Sequence, residues 1–241
     1  MSTERVWTRR RFISGAAAAG GGILLVGLGG SRLPLALGQA ASQPAPDVTP
    51  GEDLMREHGV LRRAMLIYEK CIRRLEANQE LPPAAVNDPA EIIRIFIEGY
   101  HEKLEEDYLF PRFEKAGVLA DLAKTLRAQH EAGRTLTAEI LRLSAGQPHK
   151  TAQGRAELAK NLRAFVVMYA PHAAREDTVL FPAIHRVFSP KEYDKLGDDF
   201  EDKEHDLFGE DGFEKMVDKV AVIEKSLGIY DLAQFTPGAA K

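Results

Sequence analysis

Residues 101–111 read HEKLEEDYLFP, and residues 172–182 repeat the pattern as HAAREDTVLFP. Each copy holds a histidine, a glutamate four residues later and then Leu-Phe-Pro, and all of these shared residues are shifted by 71 positions. Residues four apart lie one turn apart on the same face of an α-helix, so each histidine–glutamate pair can reach a common ion. The repeat therefore predicts two helices that present the same pair of metal-ligating side chains.

Two further histidines extend the repeat. His58 and His130 are separated by nearly the same shift, one position longer, and each lies in its own predicted helix. One histidine thus falls on each of four predicted long helices, and Glu105 and Glu176 fall on the second and the fourth. Ligands that project inward from all four helices are how helix bundles build carboxylate-bridged metal pairs.

The rest of the sequence also predicts helices. Apolar residues recur at helical spacing, without a proline, between Glu52 and Asn78. Helix-start signatures, a capping residue followed by proline, occur at Asp88 and at Ser189. The predicted long helices span residues 52–78, 88–115, 119–144 and 151–188, with kinks expected at Pro111, Pro171 and Pro182. The expected fold class is all-α, an up-down four-helix bundle with two additional short C-terminal helices.

The six side chains predict a site for two metal ions. Four imidazoles shared equally give two per ion, and two carboxylates can each bridge both ions, which makes about four bonds per metal. Iron commonly takes about six ligands, so positions stay open for a small molecule. Imidazole suits iron, zinc and copper, while bridging carboxylates favour iron or manganese.

These residues resemble the hemerythrin-like family, whose members carry the HHE cation-binding domain. The resemblance covers about residues 52–188, and the two segments with His-x3-Glu and Leu-Phe-Pro are its most specific part. It implies a non-haem di-iron centre, two iron ions with manganese or zinc less favoured, and dioxygen-related chemistry. The resemblance implies four histidines as terminal ligands and two glutamates as bridging ligands: His58, His101, His130 and His172, and Glu105 and Glu176.

Two positions depart from the oxygen-carrying hemerythrins. Those proteins have a fifth histidine one turn after the third-helix ligand, where this chain has Arg134. They also use an aspartate five residues after the fourth-helix histidine, and Asp177 stands at that spacing beside Glu176. Either carboxylate can be the bridge, and the repeat of Glu105 favours Glu176. Without a fifth histidine both irons are expected to have open positions, which favours redox turnover of a bound oxidant over reversible carriage.

The N-terminal segment, residues 1–40, predicts an export signal. Arginines at positions 9–11 precede Phe12, and a weakly apolar run rich in Gly and Ala follows as far as Gly30. This resembles a twin-arginine signal, which moves folded proteins across the bacterial inner membrane, so we expect a periplasmic protein. The expected domains are a signal peptide over 1–40, a linker over 41–50, a metal-binding bundle over 51–188 and a helical extension over 189–241.

Charge and cysteine content exclude several classes of function. The formal charge is −4, and the segment 1–40 carries +4, so its removal leaves about −8. Such a chain has no basic surface for nucleic acid, and membrane contact is expected only through an uncleaved signal. Cys71 is the single cysteine, which excludes an intrachain disulfide, and it is expected to be a buried small apolar residue.

Several other polar or aromatic residues near the ligands are explained by solvent exposure or by packing rather than by metal binding. The residues predicted to be exposed to solvent are His149, His185, Glu102, Glu106 and Asp107. Packing accounts for Tyr100, Tyr108 and Tyr169, with a hydrogen bond to iron-bound oxygen as the alternative. The sequence leaves open whether Asp177 or His205 joins the metal site.

The leading expectation is an exported non-haem di-iron protein that binds dioxygen or a related small oxidant. It would act as a carrier, a sensor or a redox protein with an unidentified electron donor, and whether it is an enzyme is left open. The alternatives are binding or buffering of iron, zinc or manganese without redox chemistry, through the same six ligands, or a purely structural bundle.

Overall fold

The computed structural model describes residues 48–82, 84–145 and 151–238. These residues form helices joined by turns and contain no strand, which confirms the all-α prediction. The predicted signal peptide, most of the predicted linker and His149 lie outside the described residues.

Helix α1 (Pro50–Glu76) carries His58. The Thr49 hydroxyl accepts a hydrogen bond from the Glu52 N–H, and the Glu52 carboxylate accepts one from the Thr49 N–H, so the two form a capping box. Pro50 occupies the first turn, where a backbone N–H has no helical partner in any case. The helix therefore begins two residues before its predicted start at Glu52.

Helix α2 (residues 84–116) carries His101 and Glu105. It is α-helical over Ala84–Ile92, Glu102–Leu104 and Phe110–Ala116, and π-helical over Ile93–His101 and Glu105–Leu109. It ends, as predicted, at Gly117, which has a φ of 65° that glycine adopts without steric cost.

The start of α2 differs from the prediction. The helix begins at Ala84 rather than Asp88, and Pro89 lies inside it. Pro89 has no N–H to donate to the carbonyl of Ala85, one turn earlier. The buried Cys71 of α1 donates its S–H to that carbonyl, with Sγ 3.5 Å from the oxygen. A thiol thus supplies the missing donor, and the helix can extend to the N-terminal side of the proline.

Helix α3 (Ala120–Ala145) carries His130, and helix α4 (residues 152–186) carries His172 and Glu176. Helix α4 is α-helical over Ala152–Arg175 and continues through Pro171. It then becomes π-helical over Glu176–Leu180 and 3-10 helical over Phe181–Arg186.

The sequence repeat reappears in the backbone. Both five-residue π turns begin at a predicted glutamate ligand and end at Leu-Phe-Pro. The N–H of Phe110 donates to the Glu105 carbonyl, and the N–H of Phe181 donates to the Glu176 carbonyl. Single π turns of this kind occur often at functional sites.

Two further helices and a short 3-10 helix complete the described residues: α5 (Pro190–Phe208), α6 (Gly212–Leu227) and Leu232–Phe235. Ser189 and Glu192 form the predicted capping box, and Gly228 ends α6 with a φ of 67°. With 19 residues, α5 is longer than the short helix expected there.

Helices α1 and α3 each pack against both α2 and α4, while α6 packs against α1 and α2 and α5 joins α1 to α6. Large aromatic side chains fill the interior, with Tyr68, Tyr100, Tyr169, Phe96, Phe110, Phe113 and Phe165 almost fully buried. One face of each of α1–α4 is therefore directed to a common interior. Among the described helices, none is long and apolar enough to cross a membrane.

Candidate metal centre

Four histidines meet in this interior, one from each of α1–α4. His58, His101, His130 and His172 are all 3% exposed or less. The Nε2 atom of His58 lies 3.1 Å from that of His101, and the Nε2 atom of His130 lies 3.3 Å from that of His172. The imidazoles therefore face one another in two pairs.

Glu176 lies between the two pairs. Its Oε2 atom is 3.0 Å from Nε2 of His172 and 3.3 Å from Nε2 of His58. One carboxylate thus contacts a histidine of each pair, which is the position of a bridging ligand.

Glu105 repeats this arrangement from the other side. Its Oε2 atom is 3.3 Å from Nε2 of His130 and 3.9 Å from Nε2 of His101. The repeat of the sequence therefore becomes a pseudo-twofold arrangement of side chains around the interior.

The donor atoms fit a metal cation. Both glutamates are fully buried, yet none of their four carboxylate oxygens accepts a hydrogen bond of normal geometry from the described residues. Buried polar atoms without partners are rare in folded proteins. Atoms from His58, His101 and Glu105 lie within 4.8 Å of one another, as do atoms from His130, His172 and Glu176. Two groups of imidazole nitrogen and carboxylate oxygen suit ions such as iron, manganese or zinc.

Each histidine is held at its other nitrogen by a side chain from a neighbouring helix. The Nδ1–oxygen distances are 2.7 Å for His58–Asp177, 2.7 Å for His101–Glu57, 3.1 Å for His130–Glu106 and 2.9 Å for His172–Gln129. Because carboxylate and amide oxygens only accept, each Nδ1 donates, and a neutral ring keeps its lone pair on Nε2. Such partners fix the tautomer and orientation of metal-binding histidines. The four bonds join α1 to α4, α4 to α3, α3 to α2 and α2 to α1.

Two arginines hold the outer carboxylates. Arg62 donates to Asp177, and Arg134 donates to both Glu102 and Glu106. Each arginine lies one turn after the histidine of its own helix, so this contact also follows the repeat. Asp177 therefore supports an imidazole from behind, and Glu176 is the carboxylate that lies between the histidine pairs.

Two phenylalanines cover the histidines of α1 and α3. Phe181 stacks on His58 with ring centres 5.4 Å apart, and Phe110 stacks on His130 at the same distance. Each phenylalanine directly follows a π turn. The π turns thus place both a carboxylate and an apolar cover that shields the ligands from water.

The electrostatics of the metal-free site differ between equivalent histidines. Burial disfavours the imidazolium ion, and it lowers the pKa of His130 to about 4 although Glu106 opposes the shift. At His58 burial is outweighed by the hydrogen bond with Asp177 and by the nearby carboxylate of Glu176, which raise its pKa to about 9. His58 therefore loses a proton before it binds a metal at neutral pH.

The two bridging carboxyls also differ. Burial, followed by the charge of Glu176, raises the pKa of Glu105 well above its ordinary value. Burial is outweighed at Glu176, where His172 and His58 lower the pKa of the carboxyl. Two adjacent carboxylates cannot both ionise cheaply in a closed interior without a cation, so the pair is suited to hold one.

Sequence patterns misplaced two carboxylates of this site. Glu102 and Glu106 were expected on a solvated face but are 1% and 8% exposed. The two π-helical segments of α2 are wider than α-helical turns and change which residues face inward, so a period of 3.6 fails there. Asp107 is exposed, as predicted.

Glu57 and Gln129 are functional candidates that sequence reasoning missed. Each directly precedes a predicted ligand, and the two are separated by the same number of positions as His58 and His130. This shared shift was the signal that could have identified them.

Tyr169 takes part in the buried polar network beside the site. Its hydroxyl donates to Glu102 Oε1 at 2.6 Å, and its ring lies edge-on to His172. The absence of a side chain at Gly133 makes room for it, since a Cβ there would lie 1.9 Å from the hydroxyl. Burial raises the pKa of Glu102 to about 8.

The remaining tyrosines near the ligands contact α5. The Tyr100 hydroxyl donates to the Phe200 carbonyl at 3.4 Å, and Tyr108 packs on the Phe200 ring.

The remaining histidines lie away from this centre. His185 is exposed beside Tyr193. His205 is half-buried on α5 and belongs to none of the cation-sized groups of side chains found among the described residues. Its neighbour Glu204 instead lies in a buried acidic group with Asp53 and Glu57.

Comparisons with known proteins agree with this arrangement. Residues 49–184, and again 121–221, match the Hemerythrin HHE cation binding domain family. The chain is 48% identical over 231 residues to uncharacterized protein Mb2018 of Mycobacterium bovis, which covers 95% of this chain and 91% of that protein. Uncharacterized protein Rv1995 of Mycobacterium tuberculosis matches to the same extent. No solved structure matches. The first family match covers more than half of the chain and includes all six predicted ligands, and the protein therefore belongs to the hemerythrin HHE cation-binding domain family.

Proposed function

We propose that this protein is an exported non-haem di-iron protein that binds dioxygen or a related small oxidant. The residues that would hold the two irons are His58, His101, His130, His172, Glu105 and Glu176. The observation that carries the proposal is the position of the two glutamates, each of which contacts a histidine from both pairs. We also infer that α1–α4, the helices that carry these residues, are connected as an up-down four-helix bundle.

The chain prepares this site through contacts of its own. The Nδ1 partners orient all four imidazoles, and the stacked phenylalanines keep water from His58 and His130. When bound, a pair of irons supplies coordination positions for a small oxidant and the electrons that reduce it.

Arg134 supports redox turnover over reversible carriage. It stands where oxygen-carrying hemerythrins have a fifth histidine, and its guanidinium is engaged by Glu102 and Glu106. No imidazole is therefore provided at this position, so a bound pair of irons would have more positions open to a small oxidant than in a carrier. An electron donor would be the second partner.

Elemental analysis and absorption spectroscopy test the proposal. The chain from Ala41 onward is purified without a metal-binding tag, and spectra of the reduced protein are recorded before and after exposure to air. We expect about two irons per chain and new absorption bands in air. A double variant, Glu105→Ala with Glu176→Ala, serves as the control and is expected to lose the metal.

Each alternative outcome has a distinct meaning. A protein filled with zinc or manganese and without an absorption change in air would favour metal handling over redox chemistry. A fully reversible, long-lived oxygen adduct would favour carriage. Less than one metal per chain after anaerobic reconstitution with iron would contradict the metal centre itself.

Export is tested separately. We expect the full-length chain to reach the periplasm, and lysine in place of Arg9 and Arg10 to retain it in the cytoplasm. Cell fractionation with an antibody to the bundle measures the distribution. Equal distribution of both versions would contradict a twin-arginine signal.

A further inference from the structure

The two halves of the site differ in charge at one pair of equivalent positions. Glu57 accepts the Nδ1 hydrogen of His101 at 2.7 Å, and Gln129 accepts that of His172 at 2.9 Å. Glu57 and Gln129 are related by the repeat and make the same contact. The first is a carboxylate and the second a neutral amide, so the repeat is broken in charge while it is kept in geometry.

The other two outer contacts are alike in the two halves, since each is made by a carboxylate that pairs with an arginine. Asp177 behind His58 is neutralised by Arg62, and Glu106 behind His130 is neutralised by Arg134. Lys103 adds a second cation to Glu106, with 2.8 Å between Nζ and the carboxylate.

Two further carboxyl groups lie beside Glu57. Asp53 and Glu204 lie in one buried group with Glu57, their oxygens within 4.8 Å of one another. Behind the imidazoles themselves, both His58 and His101 have a carboxylate, whereas in the other pair His130 has a carboxylate and His172 has an amide.

We propose that Glu57 makes the position between His58, His101 and Glu105 the tighter of two cation sites, which fills first. Gln129 leaves the position between His130, His172 and Glu176 the weaker site. The proposal rests on the function proposed above, because it assumes that the six residues bind two cations. A carboxylate that accepts the Nδ1 hydrogen makes an imidazole a more basic metal ligand than an amide does.

The test exchanges the two residues. Metal-free full-length protein, Glu57→Gln, Gln129→Glu and the double exchange are titrated with Zn²⁺ alone in a calorimeter, with a chelator as competitor. We expect two separated steps in the unaltered protein. Glu57→Gln is expected to weaken the first step about 10–100-fold and leave the second within about twofold, so that the steps approach each other. Gln129→Glu is expected to tighten the second step by a similar factor.

Histidine variants assign the steps to positions. In the unaltered protein we expect His101→Ala to remove the tighter step and His172→Ala to remove the weaker one. In the double exchange this order is expected to reverse. Glu224→Gln, which lies outside the site and pairs with Arg63, is the matched control and should leave both steps unchanged.

The outcomes separate this proposal from the proposed function. Two zinc ions per chain with unchanged affinities in both single exchanges would overturn the assignment to Glu57 and keep the metal centre. Less than one ion per chain in the unaltered protein would overturn both. Circular dichroism checks that each metal-free variant is folded, and if Glu57→Gln does not fold, the effect of Gln129→Glu on the second step decides the question alone.

Discussion

The half of the centre built by His58 and His101 and the half built by His130 and His172 have the same ligands in different surroundings. The sequence repeat reproduces the imidazole pairs, the bridging carboxylates, the arginines and the stacked phenylalanines. It does not reproduce the residue type at one pair of positions behind the imidazoles, Glu57 and Gln129. The comparison teaches that the geometry of this site comes from repetition, while its electrostatics come from positions where the two halves have diverged.

The largest expected difference concerns the two bridging glutamates in the metal-free protein. His172 and His58 lower the pKa of Glu176 against the effect of burial, whereas burial raises the pKa of Glu105 well above its ordinary value. We expect Glu176→Gln to lower the free energy of unfolding by about 3–5 kcal/mol, because it removes one partner of a buried ion pair. Glu105→Gln is expected to cost about 1 kcal/mol or less. Urea unfolding of chelator-treated protein at pH 7 measures both, and equal losses would contradict the assigned charges.

The pH dependence of the metal-free protein sharpens the comparison of His58 with His130. The pKa of His58 rises from 6.5 to about 9 on folding, so its stabilising contribution is complete below pH 6.5 and is lost as the pH rises to 9. The loss is roughly 3 kcal/mol. The pKa of His130 falls to about 4, so its contribution instead grows between pH 4 and 6.5.

Asp177→Asn separates these two titrations. Because Asp177 is a main cause of the raised pKa at His58, the variant is expected to flatten the decline between pH 6.5 and 9 and to leave the rise between pH 4 and 6.5. Urea unfolding across this pH range provides the measurement. A decline that persists unchanged in the variant would show that another group causes it.

Substitutions at two separate glycines test how tightly the interior is packed around Tyr169. Gly133→Ala places a Cβ 1.9 Å from the Tyr169 hydroxyl, and we expect a loss of about 1–3 kcal/mol from overpacking. Adding Tyr169→Phe is expected to recover only part of the loss, because the ring carbon Cζ would still lie 2.6 Å away. Gly59→Ala, on α1 with no atom within 4 Å, is the control and is expected to gain up to about 1 kcal/mol. Similar losses at both glycines would contradict this account.

The smallest expected difference concerns the two arginines. Arg134→Ala leaves the buried Glu102 and Glu106 without their shared cation, and we expect a loss of about 1 kcal/mol. Arg62→Ala leaves only Asp177, which is 14% exposed, and is expected to cost roughly 0.2–0.5 kcal/mol. Thermal unfolding of the two metal-free variants side by side measures the difference. A larger loss of stability from Arg62→Ala than from Arg134→Ala would contradict this prediction.

The main helices and the meeting of the six side chains followed from the sequence because both depend on spacing along α-helices. His101 and Glu105 share a helical face, and the repeat placed His58 and His130 opposite them. The start of α2 did not follow, because it depends on Cys71, a residue of another helix that satisfies the carbonyl exposed by Pro89.

The polar residues behind the ligands were harder to predict for a different reason. Glu102 and Glu106 are turned inward by π-helical segments, which no sequence period anticipates. Glu57 and Gln129 carry no pattern of their own within one helix. Their role is visible only when the two copies of the repeat are compared position by position.

The four Nδ1 hydrogen bonds form a closed circuit around the interior, since they link α1 to α4, α4 to α3, α3 to α2 and α2 back to α1. Each helix gives one imidazole and receives one from a neighbour, so moving any single helix outward breaks two bonds. The circuit therefore couples the four helices to one another. We expect the ligand-bearing turns to open together in amide hydrogen exchange rather than one at a time. The circuit consists of side chains of the protein alone, so the positions of the four imidazoles do not depend on a bound ion.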